Sequence, residues 1–308
     1  MSVGPLQVTA SSPEAIVEDF EWMPTTWARL RMRLRRSPSL FVGSAILLLV
    51  VAVAVCAPLI APAGPNHAVD NALDAFGQPR PPLSAGFLLG TDIQQRDVLS
   101  RLIYGARISL VVLVIANSLS MVISLLVGVL AGYLRGPVET VLMRFTDLMM
   151  SLPSLLLAMA LIVVFQPGLV MVIVAIALVN WTYLARVVYG EVVSLREREF
   201  VEAARALGSS RTRIMRRHIL PHLLNLVIIY FALNSSQIIL TEAALSFLGV
   251  GVQPPMPSWG NMIADSQQDF LIAPWLIVLP SLCIILTVIA FNLLGNGLQA
   301  LFDYRRSS

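Results

Sequence analysis

"EFVEAARALGSSRTRIMRRHILPH", residues 199–222, packs five arginines, two glutamates and two histidines between two long apolar runs. The rest of the chain is different in kind. Of its 308 residues 57% are hydrophobic and only 13% are charged, about half the charged fraction of a soluble domain. A charged island in such a chain marks a place where it leaves lipid for water. The runs on either side, 169–189 and 223–248, are each long enough to cross a bilayer, because about 20 residues at ~1.5 Å rise cover a ~30 Å hydrocarbon core.

Working outward, four more runs have the same character: 40–60, 108–132, 148–165 and 275–298. Backbone groups find no water at that depth, so all six are expected to be helices. The fold class is therefore all-α, a polytopic membrane protein with six transmembrane helices. The third run is short and contains Pro153, and Gln166-Pro167-Gly168 predicts a tight hairpin between the third and fourth. Val98, Leu99, Leu102 and Ile103 share one helical face, predicting a short interfacial helix ahead of the second run. The tail 1–26, rich in Pro, Ser and Glu, reads as disordered. No repeat at a fixed period is evident.

Orientation follows from arginine, the only basic residue type besides histidine. Of 21 arginines only Arg80, Arg96, Arg101 and Arg107 fall outside if the N-terminus is cytoplasmic. The positive-inside rule then places both termini and 199–222 in the cytoplasm. The same segregation accounts for the sequence pI near 9.2 through topology and anionic lipid, with no call for nucleic acid. The absence of lysine excludes a phosphate-binding P-loop, whose motif requires one. Cys56 and Cys283 lie inside apolar runs and read as small hydrophobes.

Within 199–222, Phe200, Ala203, Ala204 and Leu207 recur at i, i+3, i+4 and i+7, one stripe of a two-turn helix. Gly208 stands where a left-handed cap ends such a helix, and Ser209 or Ser210 can cap the next. A second short helix is expected over 211–217, with Pro221 opening the following span. Small residues on the stripe permit close approach of a protein partner; arginines resting among lipid head groups are the other reading. His218 and His222 have helical i, i+4 spacing, but no third ligand and no intervening Glu accompany them, so no metal site is assigned.

Glu202-Ala203-Ala204, Gly208 and Leu220-Pro221 resemble the EAA loop of permease subunits in bacterial ABC importers, and "RHILP" is the form typical of the peptide-importer branch. Three further stretches, at 88–110, 138–160 and 239–265, resemble the C-type (DppC/OppC-like) subunit of oligopeptide and dipeptide permeases. The likeness covers about the last 220 residues, and the first span fits that branch's extra N-terminal helix. Gln95 and Ala244 depart from it, standing where the family usually has Gly.

The resemblance implies a type I ABC importer permease fold. It divides the chain into a cytoplasmic tail (1–38), a first helix and outer loop (39–107), and a five-helix core (108–308) with its coupling loop at 196–222. The implied partners are a homologous B-type permease, two ATPase subunits, an extracytoplasmic binding protein and membrane lipid, in the bacterial plasma membrane. ATP and Mg would sit on the ATPases, leaving this chain without a cofactor. Coupling would fall to Phe200, Glu202, Ala203, Ala204, Leu207, Gly208, Arg211 and Pro221. Asn180, Trp181, Asn234, Ser235 and Gln237 either line the translocation path or make helix–helix hydrogen bonds. The expected cargo is a di- or oligopeptide, with haem and nickel chelates as alternatives within the branch.

Two rivals are set against this. An ion-driven secondary transporter needs ionisable residues at mid-membrane. Here Asp147 and Glu242 lie near opposite span ends, Asp147 reading as a contact to Arg144 or a lipid-facing cap. A membrane-embedded enzyme needs a nucleophile, metal motif or carboxylate pair at one depth, and the spans offer none.

Overall fold

The computed structural model describes residues 38–84 and 86–303; the tail 1–26, the arginines before residue 38, and Arg305 and Arg306 lie outside the described residues. Among the described residues there is no β-sheet, only isolated bridges such as Ala68 with Arg96 and Thr91 with Asp97. Five helices among the described residues are long and apolar enough to cross a membrane. They are α1 (Pro38–Val55), α3 (Val98–Leu134), α6 (Leu169–Leu195), α10 (Leu224–Phe247) and α12 (Trp275–Asp303). The four-residue α2 (Ala57–Ile60) extends α1.

The third expected run, 148–165, is not one straight helix. It falls across a bent pair, α4 (Pro137–Ser151) and α5 (Ser154–Phe165), meeting at 92°, and with this pair counted as one the described residues hold the six expected spans. The break falls inside the expected run 148–165, at Leu152 and Pro153. Leu152 is extended (φ −89°, ψ 136°), as the residue before a proline tends to be, and Pro153 has no N–H to continue the ladder. Alone, the 12 residues of α5 reach about 18 Å, well short of a bilayer core.

The expected interfacial helix is also different. Val98 opens α3 itself, which runs 37 residues, about 55 Å, without interruption. Asp97 caps it by accepting from Ser100 N at 2.7 Å and Ser100 Oγ at 2.6 Å. Val98, Leu102 and Ile103 are buried in protein rather than laid on lipid. Val98 and Leu102 share the larger core with Trp259, Met262 and Leu276, and the loop 61–97 is pinned to α3 by Asp92, which takes Arg96 Nε at 2.7 Å and Arg101 Nη1 at 3.0 Å. In the same loop Gln95 has φ 63°, the left-handed conformation that glycine takes without penalty.

The bundle is held along two seams. Helix α3 packs against α6 through Gly128 and Gly132, whose missing side chains let Val188 and Val192 approach. Helix α1 lies against α12. The larger core, including Leu113, Ala116, Ile176, Ile238 and Phe291, fills one end of the bundle. A second core, built on Leu184, Val188, Val192, Val201, Ile214, Ile219 and Leu223, fills the arginine-rich end. Asn117, fully buried on α3, gives Nδ2 to Phe231 O at 2.9 Å and to Ser235 Oγ at 2.8 Å, and accepts Asn234 Nδ2 at 3.0 Å. Large apolar side chains such as Phe41, Leu48, Val163, Val164 and Val170 face outward, as a protein solvated by lipid or partner helices requires.

Candidate functional site

The segment 199–222 folds as a ridge at the arginine-rich end. Helix α7 (Glu199–Ala206) is followed by a left-handed Gly208 (φ 76°). Ser209 N donates to Ala204 O at 3.1 Å and Gly208 N to Arg205 O at 3.0 Å, the paired bonds of a Schellman cap. Ser210 then caps α8 (Arg211–Ile214), accepting from Arg213 N at 3.4 Å.

The expected second helix over 211–217 does not close as an α-helix. It widens into a π turn (Met215–Ile219) in which Leu220 N reaches back five residues to Met215 O, and α9 (Leu220–His222) leads on to α10. Pro221 supplies the reason. In an α-helix its ring would strike the carbonyl of Arg217, four residues back, and its missing N–H would leave that carbonyl unbonded. The wider turn removes the conflict. Pro221 therefore stands in the first turn of α9, as expected, with the π turn before it and a turn at Leu223 between it and α10.

The predicted apolar stripe divides. Val201 and Ala204 turn inward onto Leu195, Ile214, Ile219 and Leu223, while Ala203 is exposed and Leu207 is 87% exposed. Phe200, 38% exposed, stacks on the His222 ring with centroids 5.0 Å apart, and His218 lies at 6.4 Å. The histidine pair is thus an aromatic shelf for Phe200, and His222 Nδ1 lies 2.6 Å from His218 O. Val201 was missing from the sequence-predicted set; its i, i+3 spacing to Ala204 was the signal available.

Helix α7 stands between two clefts. One, about 940 Å³, is lined by Tyr133, Arg135, Arg196, Glu202, Arg205 and Arg211. The other, about 1040 Å³, is lined by Leu195, Phe200, His222, Tyr230 and Phe302 among others. Glu202 and Arg211 are exposed at the first. Arg135 pairs with Glu197 at 2.8 Å across its mouth.

The other predicted positions lie within the bundle. Trp181 is buried, stacked on Phe145 with centroids 6.1 Å apart, and its carbonyl accepts from Ser124 Oγ at 2.7 Å. Ser235 is buried against Asn117, and Asn234 is half-buried beside it. Asn180 Nδ2 returns to Ile176 O at 3.0 Å, and Gln237 is exposed. Asp147 pairs with Arg186 rather than with Arg144, because the bend after α4 lays that helix against α6.

Residues 124–308 match the family described as "Binding-protein-dependent transport system inner membrane component". Residues 25–82 match the N-terminal TM domain of oligopeptide transport permease C. The chain belongs to this permease family. It is 36% identical to the glutathione transport system permease protein GsiD of Pectobacterium atrosepticum, covering 92% of this chain and 93% of the relative. It is also 36% identical to the dipeptide transport system permease protein DppC of Alkalihalophilus pseudofirmus, covering 94% of each. Among solved structures, the inward-facing MetNI methionine ABC transporter superposes with a TM-score of 0.54 at 20% identity, covering 65% of this chain and 95% of the other, which fixes the fold. The permease is accordingly a non-catalytic membrane subunit of an ABC importer of the peptide and glutathione type.

Gly208 offers a graded test of the ridge. An added Cβ meets nothing within 4 Å there, so Gly208→Ala carries only the left-handed penalty, about 1–2 kcal/mol. Gly208→Pro also forces φ to about −65° and deletes the bond to Arg205 O, raising the loss to about 3 kcal/mol or more. Amide hydrogen exchange over 199–210 should accelerate modestly for Ala and strongly for Pro.

Proposed function

We propose that the permease is the C-type membrane subunit of an ATP-driven importer of di- and oligopeptides, engaging a cytoplasmic ATPase through helix α7. The observation that carries this reading is the ridge itself. An apolar surface of Ala203 and Leu207 stands proud between two clefts, backed by Val201 and Ala204 and ended by Gly208. A partner that grips it receives a helix already folded, with little ordering left to do. Glu202 and Arg211 would meet polar groups at the rim of that contact.

In this reading both termini and the ridge are cytoplasmic, in keeping with the arginine distribution. The first helix and its loop (39–107) precede a five-helix core (108–308) that pairs with a B-type permease. Two ATPase subunits carry ATP and Mg, and a binding protein delivers cargo outside. Gln237, exposed on α10, is open to a path shared with the second permease, whereas Trp181, Ser235, Asn234 and Asn180 bond within this chain. A peptide cargo is supported by the dipeptide and glutathione systems that the relatives' names record.

The test is uptake of a labelled dipeptide into proteoliposomes holding the full complex. Accumulation should require internal ATP and external binding protein and should survive a protonophore. Uptake that proceeds without ATP and collapses with the protonophore would overturn the reading in favour of a secondary transporter.

A further inference from the structure

Near the end of α10 remote from the ridge, Glu242 is 1% exposed, and no arginine contacts it among the described residues. Its partners are serine hydroxyls. Ser246 Oγ donates to Glu242 Oε1 at 2.9 Å and Ser109 Oγ, from α3, donates to Oε2 at 3.3 Å. Ser258 lies beside the same carboxylate. All three serines are buried.

Each of these serines has a second task. Ser246 Oγ accepts from Val252 N at 3.3 Å, Ser109 Oγ from Trp259 N at 3.3 Å, and Ser258 Oγ from Asn261 N at 3.2 Å. All three N–H groups belong to the segment 249–274, which carries α11 (Trp259–Asp265). A hydroxyl has one proton to give and lone pairs to receive. A carboxylate accepts only, so it draws the Ser246 and Ser109 hydroxyl protons inward and leaves their lone pairs facing the segment's backbone. The backbone is fitted to this arrangement: a Cβ on Gly251 would lie 2.0 Å from Ser246 Oγ, and one on Gly260 would lie 2.7 Å from Ser246 Cβ. Trp259 Nε1 adds a bond to Leu102 O at 3.1 Å, fixing the segment to α3 as well.

We infer that Glu242 is a positioning residue that makes the segment 249–274 move as one body with α3 and α10. The outer surface of that segment, with Pro254, Pro255, Gln267, Gln268 and Leu271 exposed, is where a binding protein would press. Helix α10 runs from Glu242 back to Leu224, where α9 and the π turn join it to the ridge, so a push received outside is delivered to the ATPase side along this connection. This rests on the proposed function.

The test uses the reconstituted importer and reads the binding protein's stimulation of ATP hydrolysis as a ratio to the unstimulated rate. In wild type the ratio should be well above one; no stimulation there would count against the proposed function and not against Glu242 alone. With stimulation established, Glu242→Leu, which fills the volume but accepts no hydrogen bond, should lose it at least tenfold. Glu242→Gln retains one acceptor oxygen and should keep more than half. Leu and Gln variants stimulated equally, or a Leu variant stimulated like wild type, would overturn the inference. If the Leu variant fails to assemble, hydrogen exchange at Val252, Trp259 and Asn261 in the Gln variant decides: faster exchange at these amides supports the hub, and wild-type exchange overturns it.

Discussion

Gly128→Leu is expected to abolish recovery of folded permease, the largest stability effect at any single position considered. An ideal Cβ at Gly128 would lie 2.6 Å from Val188 Cγ1 and 2.8 Å from Ala185 O, and one at Gly132 would lie 2.7 Å from Val192 Cβ. One of those neighbours is backbone, so α3 and α6 must separate to admit a side chain. Small residues four apart let membrane helices approach in this way, and the gain is close packing, since lipid removes the usual hydrophobic drive. Overpacking a fitted core costs about 1–3 kcal/mol, and more where backbone has to shift. Separation also stretches the bond from Ser124 Oγ to Trp181 O and the contact of Arg196 Nη1 with Gly132 O. In detergent, the thermal midpoint should fall clearly for Gly128→Ala, and Gly128→Leu should give no monodisperse species. Gly190, on α6 with nothing within 4 Å of an added Cβ, is the internal control and should tolerate Ala. A Gly128→Leu protein that melts with wild type would refute the seam.

Leu207→Asp is expected to leave the chain folded and abolish transport. The side chain is almost wholly exposed and touches neither core, so its loss costs the isolated chain little. Burying a leucine in a partner contributes about 1.5–3 kcal/mol. An aspartate forfeits that and adds the cost of a carboxylate forced from water, so ATPase affinity should fall by well over tenfold, each ~1.4 kcal/mol being one decade. Ala203→Asp should act likewise. Val201→Asp, by contrast, places charge in the inner core and should unfold the ridge itself. Co-purification of ATPase and ATP-dependent uptake are the measurements. Wild-type uptake by Leu207→Asp at normal protein level would sink the docking surface.

Much of this architecture is legible in the sequence because it is local. Five apolar runs match spanning helices, since length and hydropathy suffice for them. The break at Gly208 and the cap at Ser210 follow from residue types with one common use each. What escaped was set by distant partners or by competition between neighbours. Apolarity cannot show that Leu152 and Pro153 turn the third run through 92°. The stripe over 200–207 has two candidate inward faces, and only Ile214, Ile219 and Leu223 decide for Val201 and Ala204. Asp147 lies three residues from Arg144, yet pairs with Arg186 on another helix. Glu242 reads as a lone acid near a span end until Ser109 and Ser258 are brought to it from far along the chain.

The π turn at Met215–Ile219 has a consequence for the angular phase of the molecule. A widened turn takes up one residue more than an α-helical turn, and each residue of α-helix is worth about 100° of rotation. The heading of the ridge about the α10 axis therefore depends on that single surplus residue. Losing one residue there would drive the Pro221 ring back onto the carbonyl four residues earlier and swing Phe200 off the His222 shelf. Along this stretch the number of residues constrains the protein as tightly as the proline that calls for it.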